Sequence, residues 1–117
     1  MSDYREIIER LEKMDGPDTE TDIDIWCEIF APDAAAIDPG FRAPPYTASL
    51  DAAIALVEKM LPGWDFELTK FGSHGSVAIL WPEGLRDAWA RRTWSEGATP
   101  TIAVLIAFFR ALESSDD

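Results

Sequence analysis

Apolar positions in this chain change period several times, and each change marks an element. Tyr4, Ile7, Ile8, Leu11 and Met14 recur at helical spacing, with Ser2 placed to cap the start and Glu6–Arg10 and Glu9–Lys13 paired four apart on the outer side. Gly16-Pro17 ends that helix. A second, started by Asp18 or Thr19, puts Ile23, Trp26, Cys27 and Phe30 on its expected inner face. Residues 31–48, with Pro32, Pro39, Gly40, Pro44 and Pro45, read as a long surface loop. Ser49 then caps a third helix whose buried stripe is Leu50, Ile54, Val57 and Leu61, and Pro62-Gly63 stops it.

From Trp64 the period becomes two. Trp64, Phe66 and Leu68 alternate with Asp65, Glu67 and Thr69, the pattern of a half-buried strand. Gly72-Ser73-His74-Gly75 is turn chemistry and residues 76–81 are a continuous apolar run, so a hairpin is expected. Trp81-Pro82-Glu83-Gly84 makes another turn. A third strand is expected within Ala88 to Ser95. The last helix runs from Pro100, capped by Thr99, to about Leu112. It is apolar nearly all round (Ile102, Val104, Leu105, Ile106, Phe108, Phe109), which requires burial between the sheet and something else. The order is ααα-βββ-α, an α+β class with a small three-stranded antiparallel sheet and helices packed on it. What covers the far side of the last helix stays open: the N-terminal helices, a second copy of the chain, or another partner.

Three blocks carry a resemblance. They are Gly16-Pro17-Asp18-Thr19-Glu20-Thr21-Asp22, then Pro44-Pro45-Tyr46-Thr47-Ala48-Ser49-Leu50-Asp51-Ala52-Ala53-Ile54, then Glu96-Gly97-Ala98-Thr99-Pro100-Thr101-Ile102-Ala103-Val104, together about a quarter of the chain. In this order they resemble the phage α/β/α sandwich domain, a family of small phage and prophage proteins. The resemblance implies a fold and a phage or prophage origin. It supplies no catalytic residues, since that family has no established activity to carry over.

At 117 residues and 47% hydrophobic, the chain is one domain, 1–117, with enough apolar residues for a core. The single Cys27 forms no internal disulfide, which fits a reducing compartment. The N-terminus is polar and acidic where a secretory leader is basic then apolar, and the apolar run 102–109 is short of the ~20 residues of a membrane span. These point to the cytoplasm, and the resemblance to phage and prophage proteins implies that of a bacterial host.

Net charge is −12, and residues 1–33 carry eleven carboxylates against Arg5, Arg10 and Lys13. Such a field repels phosphate backbones and argues against direct nucleic-acid binding. Glu6, Glu9, Glu12, Asp18, Glu20, Asp22 and Asp24 form a candidate acidic face. It reads either as a decoy for the groove of a host nucleic-acid-binding protein or as a solvated surface. Phe41, Arg42 and Tyr46 make the long loop a candidate contact region.

Catalytic chemistry is sparse. His74 is the only histidine and sits between turn residues, and Ser73 beside it gains nothing from adjacency. Cys27 on an inner helical stripe reads as a small core hydrophobe. Asp18, Glu20, Asp22 and Asp24 alternate like calcium ligands, but Ile23 and Ile29 stand where that loop needs Gly and Glu. Asp65 and Glu67 share a strand face, which suits either an acid/base pair or simple exposure to water. Arg86, Arg91 and Arg92 interleave with Trp89 and Trp94, which suits stacking on a nucleotide or pairing with the acidic helices. Gly72 and Gly75 do not make a phosphate loop. No catalytic, cofactor or metal residues are assigned. The expected role is that of an accessory protein acting through an unidentified protein partner or a homodimer, with a carboxylate-only enzyme as the competing class.

Overall fold

The computed structural model describes residues 4–30, 43–70, 75–82 and 93–115. The elements run α1 (Arg5–Lys13), α2 (Thr19–Phe30), α3 (Leu50–Met60), β1 (Asp65–Lys70), β2 (Ser76–Trp81), β3 (Thr93–Gly97) and α4 (Pro100–Ser115). This is an α+β fold in the order expected. The sheet is antiparallel throughout, in the order β1-β2-β3, so β1 and β3 are its edges.

α4 is the hub. Residues 101–109 are all buried. The sheet lies on one side of it, mainly through β2 and β3, and α1 and α3 cover the rest. That answers what hides an all-round apolar helix: its own N-terminal neighbours do. Tyr4 of α1 stacks at a tilt on Phe109, centroids 5.4 Å apart, and Phe108 meets Phe109 edge-on at 5.0 Å. Fully burying side chains of this size stabilises by about 1.5–3 kcal/mol each, so this helix carries much of the fold.

Caps fix where the helices start. Ser49 Oγ accepts from the Ala52 N–H at 3.2 Å, and Thr99 Oγ1 accepts from the Ile102 N–H at 3.1 Å. The β3–α4 connection is tight because Gly97 has no side chain. A Cβ there would stand 2.6 Å from the Ala103 nitrogen. Ser95 Oγ, on the same face, donates to the Ala103 carbonyl at 2.6 Å.

Several expectations shift. Ser2, the expected cap of α1, lies outside the described residues, and Tyr4 stands at the cap position with no side-chain bond. β3 begins at Thr93 and ends at Gly97, later than the expected 88–95, and α4 reaches Ser115 rather than Leu112. β1 is less covered than a half-buried strand: five of its six residues are exposed, because α4 lies over β2 and β3. The buried residues of α2 are Thr21, Asp22 and Ile25; of the expected inner stripe Trp26 packs partly against the core, whereas Ile23 and Phe30 are exposed and Cys27 is half-buried. No helix among the described residues is long and apolar enough to cross a membrane.

Candidate functional site

α2 presents two apolar stripes about 180° apart. With ~100° per residue, Ile25 and Ile29 share one side with Thr21 and Asp22, and Ile23, Cys27 and Phe30 share the other. Burial follows the first side. Ile25 is fully buried and Ile29 packs partly against the core, whereas Ile23 is 42% and Phe30 37% exposed.

A polar lock selects that orientation. Asp18 caps α2, its carboxylate accepting from the Thr21 N–H at 3.2 Å and from the Thr21 hydroxyl. Asp22, one turn on, is 5% exposed and accepts from the Thr47 N–H at 2.8 Å and the Thr47 hydroxyl at 2.7 Å. The Thr47 oxygen in turn accepts from the Asp18 N–H at 2.9 Å. A buried carboxylate needs such partners, and a segment 25 residues away supplies them. The Thr21 hydroxyl bond is the main cause holding the Asp18 carboxyl below its ordinary value. Tyr46 is buried beside this lock at 4% exposure, and burial, then the charge of Asp22, pushes its phenol up.

The outward stripe has two different flanks. Toward α3 it borders a groove of about 290 Å³ lined by Trp26, Phe30, Pro44, Tyr46, Ala52, Ala55, Leu56 and Lys59. Trp26 and Phe30 lie 5.7 Å apart, and the Lys59 ammonium sits 4.9 Å above the Phe30 ring. Toward α1 the flank is acidic. Asp24 and Glu28 border a recess of about 250 Å³ with Glu6, Arg10 and Cys27, and Arg10 is paired with Asp24. That hydrogen bond is the main cause raising the Arg10 guanidinium above its ordinary value.

The acidic face expected from sequence is therefore divided. Glu6, Glu9 and Glu20 are exposed. Glu12 is exposed but engaged by Arg110 at 2.7 Å, Asp24 holds Arg10, Asp18 caps its own helix, and Asp22 is withdrawn into the interior. Asp22 thus leaves the surface because it bonds Thr47, and Tyr46 is buried but lines the groove between α2 and α3. Phe41 and Arg42 lie outside the described residues. Cys27 is half-buried on the outward stripe rather than in the core.

Of the chemistry-bearing candidates, Asp65 and Glu67 are exposed on β1 and Trp94 is 51% exposed on β3. Ser73, His74, Arg86, Trp89, Arg91 and Arg92 lie outside the described residues. Among the described residues no three His, Cys, Asp or Glu side chains gather as a metal cage. An open cleft of about 640 Å³ lies between α1, β3 and α4, with Glu12, Glu96 and Arg110 in its lining. Arg110 is committed there, donating to Glu12 and to the Trp94 carbonyl at 3.1 Å.

Sequence reasoning found the α2 stripe as a set of residues but assigned it to the core. What separates the two stripes is Asp22, buried by its bonds from Thr47, a partner too distant for periodicity to find. No protein-family model matches the chain, and the curated proteins and the solved structures contain no match to it.

Proposed function

We propose that this chain is a small phage-type accessory protein that acts without catalysis, by docking a protein partner on the outward face of α2. The observation that carries the reading is the exposure of Ile23 and Phe30 on one helical stripe, turned away from a core that Ile25 and the Asp22–Thr47 lock occupy. An apolar ridge left in water on a small domain is a contact surface in waiting.

The flanks specify the partner. Glu20 and Glu28 line one side of the ridge, so a segment with Lys or Arg beside an apolar anchor complements it, the anchor entering the groove beside Trp26 and Phe30. The ridge is short, which suits a weak or regulated contact rather than a permanent assembly. The phage or prophage origin rests on the sequence resemblance and enters as part of the same proposal.

The competing acidic-decoy reading has less behind it. A decoy needs a continuous array of free carboxylates, and Glu12, Asp18, Asp22 and Asp24 are spent on internal bonds. A carboxylate-only enzyme would rest on Asp65 and Glu67, which lie exposed on β1.

The test is capture from bacterial host lysate with the wild-type chain and with Ile23→Ser/Phe30→Ser. Both positions are surface-exposed, so circular dichroism should show the variant folded. A protein retained by the wild type, lost with the variant and weakened by salt supports the reading. No retained protein, or one held equally by both chains, refutes it.

A further inference from the structure

Arg10 and Asp24 tie α1 to α2 on the outer side of the fold. One turn away the arrangement changes. Glu6 stands four residues before Arg10 and Glu28 four after Asp24, and both line the same recess of about 250 Å³, with Ile7 and Cys27 beside them. Arg10 is the one cation in that lining among the described residues, and it is committed to Asp24. Glu28 is half-buried, and among the described residues no hydrogen bond or ion pair engages it or Glu6. Two carboxylates sharing a recess repel, and a cation between them relieves the repulsion. Cys27 also belongs to the outward stripe of α2, whose other members Ile23 and Phe30 are exposed. That stripe steps by four residues and then three, so it runs along two turns of the helix, about 10 Å.

We infer that this face docks a basic amphipathic helix of the partner, its apolar residues laid along Ile23 and Phe30 and one Lys or Arg entering the recess between Glu6 and Glu28. The inference rests on the docking role proposed for α2 and names what docks there. Backbone chemistry selects a helix. The side of a helix offers side chains and no unpaired N–H or C=O groups, so an extended segment laid on α2 finds no ladder to join, whereas a helix satisfies its own backbone. Its apolar positions recur at the same four-three spacing as the stripe it covers. Charge selects a basic one. The recess holds three carboxylates against one guanidinium, so an acidic helix is repelled, and a Lys or Arg does for Glu6 and Glu28 what Arg10 does for Asp24. The same field disfavours a second copy of this chain, whose net charge is −12. Stripe and recess meet at Cys27, which the bound helix covers.

The test titrates the full chain with a short amphipathic helical peptide of Leu and Lys, and with its counterpart carrying Glu for Lys. Cys27 is the only cysteine, so its alkylation by iodoacetamide reports cover at one place. The Lys peptide should bind, slow that alkylation and lose affinity as salt rises, and the Glu peptide should do none of these. Glu6→Gln/Glu28→Gln removes both charges from the recess and should weaken binding about two- to thirtyfold. Asp65→Asn/Glu96→Gln removes the same charge from exposed positions on the sheet and should leave affinity within about twofold. No binding of the Lys peptide, binding that leaves Cys27 as reactive as before, or equal losses in the two double variants would each overturn the inference. If Ile23→Ser/Phe30→Ser abolishes binding while Glu6→Gln/Glu28→Gln matches the sheet variant, the docking face stands and the recess falls. If neither weakens binding, both fall.

Discussion

Gly97 is where the sheet and the central helix come closest, and replacing it with alanine tests that contact directly. Its backbone does not adopt a positive φ, so alanine suits its conformation. In open space Gly→Ala stabilises by about 0.4–1 kcal/mol through the unfolded chain. Here the new Cβ would lie 2.6 Å from the Ala103 nitrogen, 2.9 Å from its Cα and 3.0 Å from the Ile102 carbonyl carbon. All three are backbone atoms of α4, and they cannot swing aside as a side chain does. Relief requires moving the helix on which α1, α3 and the sheet pack. Overpacking of this kind costs about 1–3 kcal/mol, so about 1–2 kcal/mol of net destabilisation is expected. At roughly 2 cal/mol/K of unfolding entropy per residue, a chain of this length loses ~4 °C of Tm per kcal/mol, or about 4–8 °C in all. Gly16 supplies the control, since a Cβ there meets nothing within 4 Å and its φ is not positive. Gly16→Ala should be neutral or slightly stabilising. The assay is urea unfolding of both variants with an unchanged m-value. Equal midpoints for the two would refute the tight β3–α4 contact.

Two further predictions concern the lock on α2. Thr47→Val keeps the shape but removes the hydroxyl that bonds Asp22 and accepts from the Asp18 N–H. The buried carboxylate then keeps only its bond from the Thr47 N–H among those described, and the loss should be about 1.5–3 kcal/mol in urea unfolding. The acid limb of stability tests the Asp18 cap. A carboxyl held below its ordinary 3.8 contributes stability that is fully present above that pH and is lost as pH falls through the lower folded value. Thr21→Val removes the largest cause of the shift, so the fall in stability below about pH 4 should be shallower than in the wild type. A wild-type slope in that variant would show that another group sets the acid limb.

Local rules in the chain determined a great deal. Helix α3 is bounded by Ser49 and by Pro62-Gly63, and Gly63 adopts a φ of +84° that an L side chain resists. The start of α4 at Thr99-Pro100, and its need for cover on every side, follow from a run with no polar face. The β1–β2 hairpin follows from a change of period around a glycine turn. These features depend on residues within one turn or one strand of each other, so they are visible without the fold. Tertiary structure decided what periodicity leaves degenerate. α2 has two apolar stripes, and hydrophobicity alone ranks Ile23, Trp26, Cys27 and Phe30 as highly as Ile25 and Ile29. The choice fell to Asp22, whose buried carboxylate must meet Thr47, a partner 25 residues further along the chain. That bond turns Ile25 inward and Ile23 and Phe30 outward. The cover on α4 and the exposure of β1 were decided in the same way, by which elements meet in space once the central helix is enclosed.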